Sequence, residues 1–124
     1  MVAKILNDKE GIIIGNELRM KILIIEPNKQ PYTERIWNDL ESLRKKIGQE
    51  IEVIEYNKVL IVYNARGLAD NMPINRYIDE LAIRGTFVIT GNNTKELDFE
   101  SLKEEEIEKY TEMFTLDREE ELEL

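Results

Sequence analysis

"IEVIEYNKVLIVY", Ile51 to Tyr63, decides the fold. Its first half, "IEVIEY", partly alternates apolar and acidic side chains, as a half-buried strand does. Its second half, "VLIVY", is the most apolar run in the chain and reads as a core strand. Only Asn57 and Lys58 separate the halves. A two-residue gap between strands predicts a tight hairpin, although Asn-Lys is a weaker turn than Asn-Gly.

Working outward, "MKILIIEP" from Met20 reads as a second buried strand, β-branched and stopped by Pro27. "TFVIT" (Thr86 to Thr90) reads as another strand and "GNN" (Gly91 to Asn93) as a turn. "GIIIG" (Gly11 to Gly15) can form one short strand. "TERIWNDLESLRKKIG" has helical spacing, with Ile36, Trp37, Leu40, Leu43 and Ile47 on one stripe. Thr33 is the expected N-cap, Gly48 the expected stop, and Trp37 is expected in the core. A second helix is expected over "SLKEEEIEKYTEMF", with Ser101 and Glu104 as a capping box and Leu102, Ile107, Tyr110 and Phe114 as its apolar stripe. "YIDELAIRG" is ambiguous between a short helix and irregular chain. The pattern predicts an α+β fold: a small, mainly antiparallel sheet with two helices packed on it. Residues 20–115 form the single domain, 1–19 an N-terminal extension and 116–124 an acidic tail that is expected to fray.

Composition narrows the chemistry. The 124 residues include no Cys and no His. Disulfides, thiolate nucleophiles and Ser–His or Cys–His hydrolysis are excluded. The commonest general base and transition-metal ligand are missing too. No cofactor, metal site or catalytic residue is expected. No secretory signal or apolar run of membrane-spanning length is read, which fits a cytoplasmic protein. The formal charge of −9 comes from the end of the chain. Residues 1–94 hold 13 acidic and 13 basic side chains, whereas residues 95–124 hold 13 acidic and 4 basic. Direct nucleic-acid binding through a broad basic surface is therefore not expected. The acidic end can mimic nucleic acid toward a basic partner, but a solvated helix face is the simpler account.

"NARGLADNMPINR", Asn64 to Arg76, follows the core strand at once. Arg66 and Arg76 can hold a phosphate or carboxylate, with amide bonds from Asn64, Asn71 and Asn75, and Gly67 is expected to supply a positive φ. The plain structural alternative is that Asn caps the turns and each Arg pairs with a local acid such as Asp70 or Asp79. Glu26, at the end of the "MKILIIE" strand, is expected in a salt bridge, with a loop Arg as one partner.

These segments carry a resemblance. "KILIIEPNKQP", "KKIGQEIEVIEYNKVLIVYNARGLADNMPINR" and "IRGTFVITG" together resemble a small domain family of phages, plasmids and conjugative elements, known only as a domain of unknown function, from about Met20 to Phe114. The shared pattern is Asn64, Gly67-Leu68, Pro73, Asn75-Arg76 and Gly85 to Phe87. The family pattern has acidic residues after the first Asn, where this chain has Ala65 and Arg66; that leaves Arg76 the stronger candidate. The resemblance implies an accessory protein of a mobile element and no particular reaction. The expected function is a non-enzymatic module that docks on a host protein, in counter-defence or regulation. The alternative is a binder of a small anionic ligand such as a nucleotide, through Arg76, Asn75, Asn64, Arg66 and Gly67.

Overall fold

The computed structural model describes residues 3–6, 18–93 and 99–117. Along them run β1 (Ala3–Leu6), β2 (Arg19–Ile25), β3 (Tyr32–Trp37), α1 (Leu40–Ile47), β4 (Ile51–Tyr56), β5 (Val59–Asn64), β6 (Ile74–Ile78), β7 (Leu81–Arg84), β8 (Phe87–Asn92), β9 (Phe99–Glu100) and α2 (Glu104–Phe114). The main sheet has the order β1-β4-β5-β8-β2-β3, with β9 added to β8, while β6 and β7 form a separate ribbon. Each of these pairings is antiparallel. The α+β fold with two helices on a mainly antiparallel sheet is the one the pattern predicts.

The β4–β5 hairpin forms as expected, with Tyr56 opposite Val59. Asn57 and Lys58 take φ of 45° and 73°. Positive φ at both turn positions gives the twist a two-residue hairpin needs. Burial explains the unbroken apolar runs. Met20, Ile22 and Ile24 of β2 pack with Leu40, Leu43 and Ile47 of α1. The intervening Leu23 and Ile25 pack on the opposite face, with Ile78, Ile83, Tyr110 and Phe114 from the ribbon and α2. Successive strand residues thus enter different cores, so both must be apolar.

The first helix is shorter than expected. Tyr32 to Trp37 is strand β3 at the edge of the sheet, in register with Arg19 to Ile24. Its cap is Asp39 rather than Thr33: the Asp39 carboxylate accepts from the Ser42 N–H at 2.8 Å. Trp37 lies before the helix and is 54% exposed, so it is not a core residue. Gly48 does end α1, its N–H bonding the Arg44 carbonyl at 2.8 Å.

The second helix also begins later, at Glu104. Glu106 closes a capping box on the Lys103 N–H at 2.9 Å, while Ser101 Oγ accepts from the Lys21 N–H in β2. The expected Ser101–Glu104 box is therefore replaced. "YIDELAIRG" belongs to the ribbon, turning at Asp79 with φ 54°. The expected turn at Gly91 is strand instead, since β8 continues to Asn92. "GIIIG" and the chain beyond Asp117 lie outside the described residues. Ala3–Leu6 pairs with β4 at the edge opposite β3.

Candidate functional site

The loop is built on the end of β5. Asn64 is buried, and its side-chain amide donates to the Ile47 carbonyl at 3.0 Å. That carbonyl is one of those left over at the end of α1. The Asn64 side-chain oxygen accepts from the Arg66 N–H at 2.7 Å, which starts the turn. Arg66 forks onto Asp70, with Nη2 at 3.0 Å and Nε at 3.3 Å from the two carboxylate oxygens. Hydrogen bonding to Asp70 raises the Arg66 pKa further. The pair is exposed and contributes little to stability.

Gly67 serves a different purpose from the one expected. Among the described residues the glycines with positive φ are Gly48 and Gly85. A Cβ on Gly67 would instead come within 2.8 Å of the Arg84 Cβ, so the residue allows the loop to lie against β7. The positive φ in the loop belongs to Asn71, at 51°.

Asn75 and Arg76 form a clamp. The Asn75 amide donates to the carbonyls of Ile25 at 2.8 Å and Gly85 at 2.9 Å, tying β2 to the end of the ribbon. Its oxygen accepts from Arg76 Nη1 at 2.6 Å. Arg76 reaches the Phe114 carbonyl with Nε at 3.0 Å and Nη2 at 2.9 Å, the Lys29 carbonyl with Nη2 at 2.8 Å, and the Asn75 carbonyl with Nη1 at 3.3 Å. A guanidinium has five N–H groups, and these contacts account for them all. Burial lowers the Arg76 pKa, but the side chain remains a cation. Phe114 ends α2, a helix with three acids in its first turn and no basic residue in its last. Arg76 supplies the missing positive charge at the negative end of the helix from a different element.

The candidate residues therefore do not converge on one point. Asn75 and Arg76 act together inside the fold, Asn64 binds the end of α1, and Arg66 pairs outward with Asp70. The loop nevertheless walls one open concavity of about 360 Å³, lined by Asn64, Ala65, Gly67 and Leu68 with Glu52, Tyr63, Leu81, Ala82 and Arg84. Inside it the Tyr63 hydroxyl donates to the carboxylate of Glu52, its cross-strand neighbour. Burial, with that carboxylate second, raises the Tyr63 pKa well above its usual value. Arg84 turns one nitrogen to the Met72 carbonyl at 2.8 Å. The concavity presents apolar surface and hydrogen-bonding groups, with the Tyr63–Glu52 pair in its wall.

Glu26 forms its salt bridge with Lys29, at 3.4 Å, and not with a loop Arg. It also accepts from the Tyr32 hydroxyl. That bond lowers the Glu26 pKa, Lys29 adds to the effect and burial opposes it; the same bond pushes Tyr32 up to about 12. A carboxyl with a lowered folded pKa contributes stability above its unfolded value and loses it as pH falls. The contribution is complete above pH 4.5 and fades below it, through the depressed folded value. Tyr32→Phe is expected to destabilise the protein at neutral pH, with the difference from wild type shrinking toward pH ~3 in urea unfolding. A difference that is constant with pH would assign the effect of Tyr32 to packing.

A second cluster escaped the sequence pattern. Arg19 and Trp37 are opposite one another across β2 and β3, with the guanidinium 4.8 Å from the indole centre. The signal is spread over residues far apart in the chain and appears only once the strands pair.

The family model for a domain of unknown function (DUF3846) matches residues 20–115. No curated protein and no solved structure matches the chain. The match covers the sheet from β2 onward, the Asn64–Arg76 loop and both helices, and the chain belongs to this domain family, DUF3846.

Proposed function

We propose that this protein is a non-enzymatic binding module that docks on another protein through the Asn64–Arg76 loop and the β6–β7 ribbon. The observation that carries the reading is an inversion of polarity. Asn64, Asn75 and Arg76 spend their hydrogen bonds inside the fold, while Leu68 is 76% and Tyr77 60% exposed. Leu68 lines the concavity beside Ala82, and Ala82 is the cross-strand partner of Tyr77. Large exposed apolar side chains around a shallow hollow are what protein recognition uses. An accessory role in a phage or mobile element, docking on a host protein in the cytoplasm, rests on the resemblance described above. Anion capture by this loop is the less supported reading, because Arg76 has no N–H left to offer.

The test is affinity capture from cells that carry the gene, comparing wild type with the Leu68→Glu/Tyr77→Glu double variant. Both sites are exposed, so the variant is expected to melt within about 2 °C of wild type. It is expected to lose a partner that wild type retains at a fixed stoichiometry. Equal recovery of each captured protein by both forms would overturn the docking face.

A further inference from the structure

The surface at β3 has an unrelated chemistry. An open concavity of about 320 Å³ is lined by Arg19, Arg35, Trp37, Lys45 and Lys46, with Glu34, Ile36 and Ser42 at its wall. Four cations thus stand against one carboxylate, in a chain whose formal charge is −9. Glu34 is engaged by Lys46 at 2.7 Å, and Lys45 faces Glu41 at 3.7 Å on the open side of α1. The Arg35 side chain makes no ion pair or hydrogen bond with the described residues. Arg19 rests on the indole. The Trp in question is the chain's only one, and more than half of it faces water.

We propose that this cavity binds a nucleotide, its base stacked at Trp37 and its phosphate held by Arg35, Lys45 and Arg19. An indole offers a flat apolar surface on which a base stacks, and guanidinium and ammonium groups supply charge-assisted bonds to phosphate oxygens. The volume suits one small ligand, being at the low end of the range for such sites. A long polyanion fits less well, since the formal charge of −9 repels it and these four cations stand together at one concavity. None of these residues belongs to the loop–ribbon face, so the site stands independently of the docking proposal.

Because Trp37 is the only Trp, intrinsic fluorescence reports this site directly. Titration with AMP, GMP and ATP is expected to give saturable quenching. Adenosine and inorganic phosphate, each with half of the chemistry, are expected to bind at least about tenfold more weakly than the best nucleotide. Arg35→Glu/Lys45→Glu is expected to weaken nucleotide binding by more than about tenfold, and Leu68→Glu/Tyr77→Glu to leave it unchanged. Equilibrium dialysis with labelled ATP provides a readout independent of the indole, and there Trp37→Ala is expected to weaken binding as well. The proposal is overturned by no saturable response to any nucleotide up to about 5 mM. It is overturned equally by binding that survives the charge reversals, or by a response to a single-stranded oligonucleotide alone.

Discussion

Arg76→Ala is expected to lower the unfolding free energy by about 3 kcal/mol, the scale for removing several charge-assisted hydrogen bonds to part-buried acceptors. For a domain of this size that is a fall in melting midpoint of about 15 °C. The substitution strips the Phe114 carbonyl of two bonds and the Lys29 carbonyl and Asn75 oxygen of one each. It also removes the positive charge from the end of a helix that has no basic residue in its last turn. Arg76→Lys is expected to recover less than half of the loss. An ammonium restores the charge, but it cannot reproduce the planar fork that reaches Phe114, Lys29 and Asn75 together. Chemical denaturation of the three forms is the measurement. If Arg76→Ala melts with wild type, the guanidinium is free in solution and the loop regains its standing as an anion site.

The clamp also shows where sequence reading stops. Asn64, Asn75 and Arg76 stand out as a polar group after a core strand, and the structure gives each a defined partner. Those partners are backbone carbonyls. Asn75 reaches across 50 positions to Ile25, and Arg76 across 47 to Lys29 and 38 to Phe114. A carbonyl is present at every residue and has no signature in the sequence. The donors were therefore visible and the acceptors were not, and a donor without a visible acceptor resembles a ligand site.

The fold divides along similar lines. The β4–β5 hairpin is legible because its turn and both strands are contiguous. Strand β3 was hidden by coincidence. Ile36 and Trp37 happen to continue the apolar spacing of Leu40, Leu43 and Ile47 backward, although Asp39 breaks the helix between them. Tyr32, Thr33, Ile36 and Trp37 favour a strand, but their pairing with β2 is non-local and decides the matter. The ribbon was obscured in another way. Its inner face contributes only Ile78 and Ile83 to the buried core, too few to set a period. The cluster around Trp37 depends on that non-local pairing of β3 with β2, which the local sequence does not show.

Gly48→Ala is expected to cost about 3 kcal/mol, from backbone strain and a disrupted buried hydrogen bond. Gly48 has φ of 138°, a region closed to a residue with a Cβ. An added Cβ would also lie 2.4 Å from the Asn64 side-chain nitrogen. That nitrogen cannot simply move aside, because it donates to Ile47 while the same amide's oxygen receives the Arg66 N–H. The two costs can be separated with a double-mutant cycle. Asn64→Ala removes the obstruction and leaves the φ penalty, so Gly48→Ala should cost about 1 kcal/mol less in that background. Such coupling would make the end of α1 and the start of the loop one structural unit, with Asn64 as its link. Strict additivity would leave only the backbone term, and Asn64 would then be free to serve the concavity beside it.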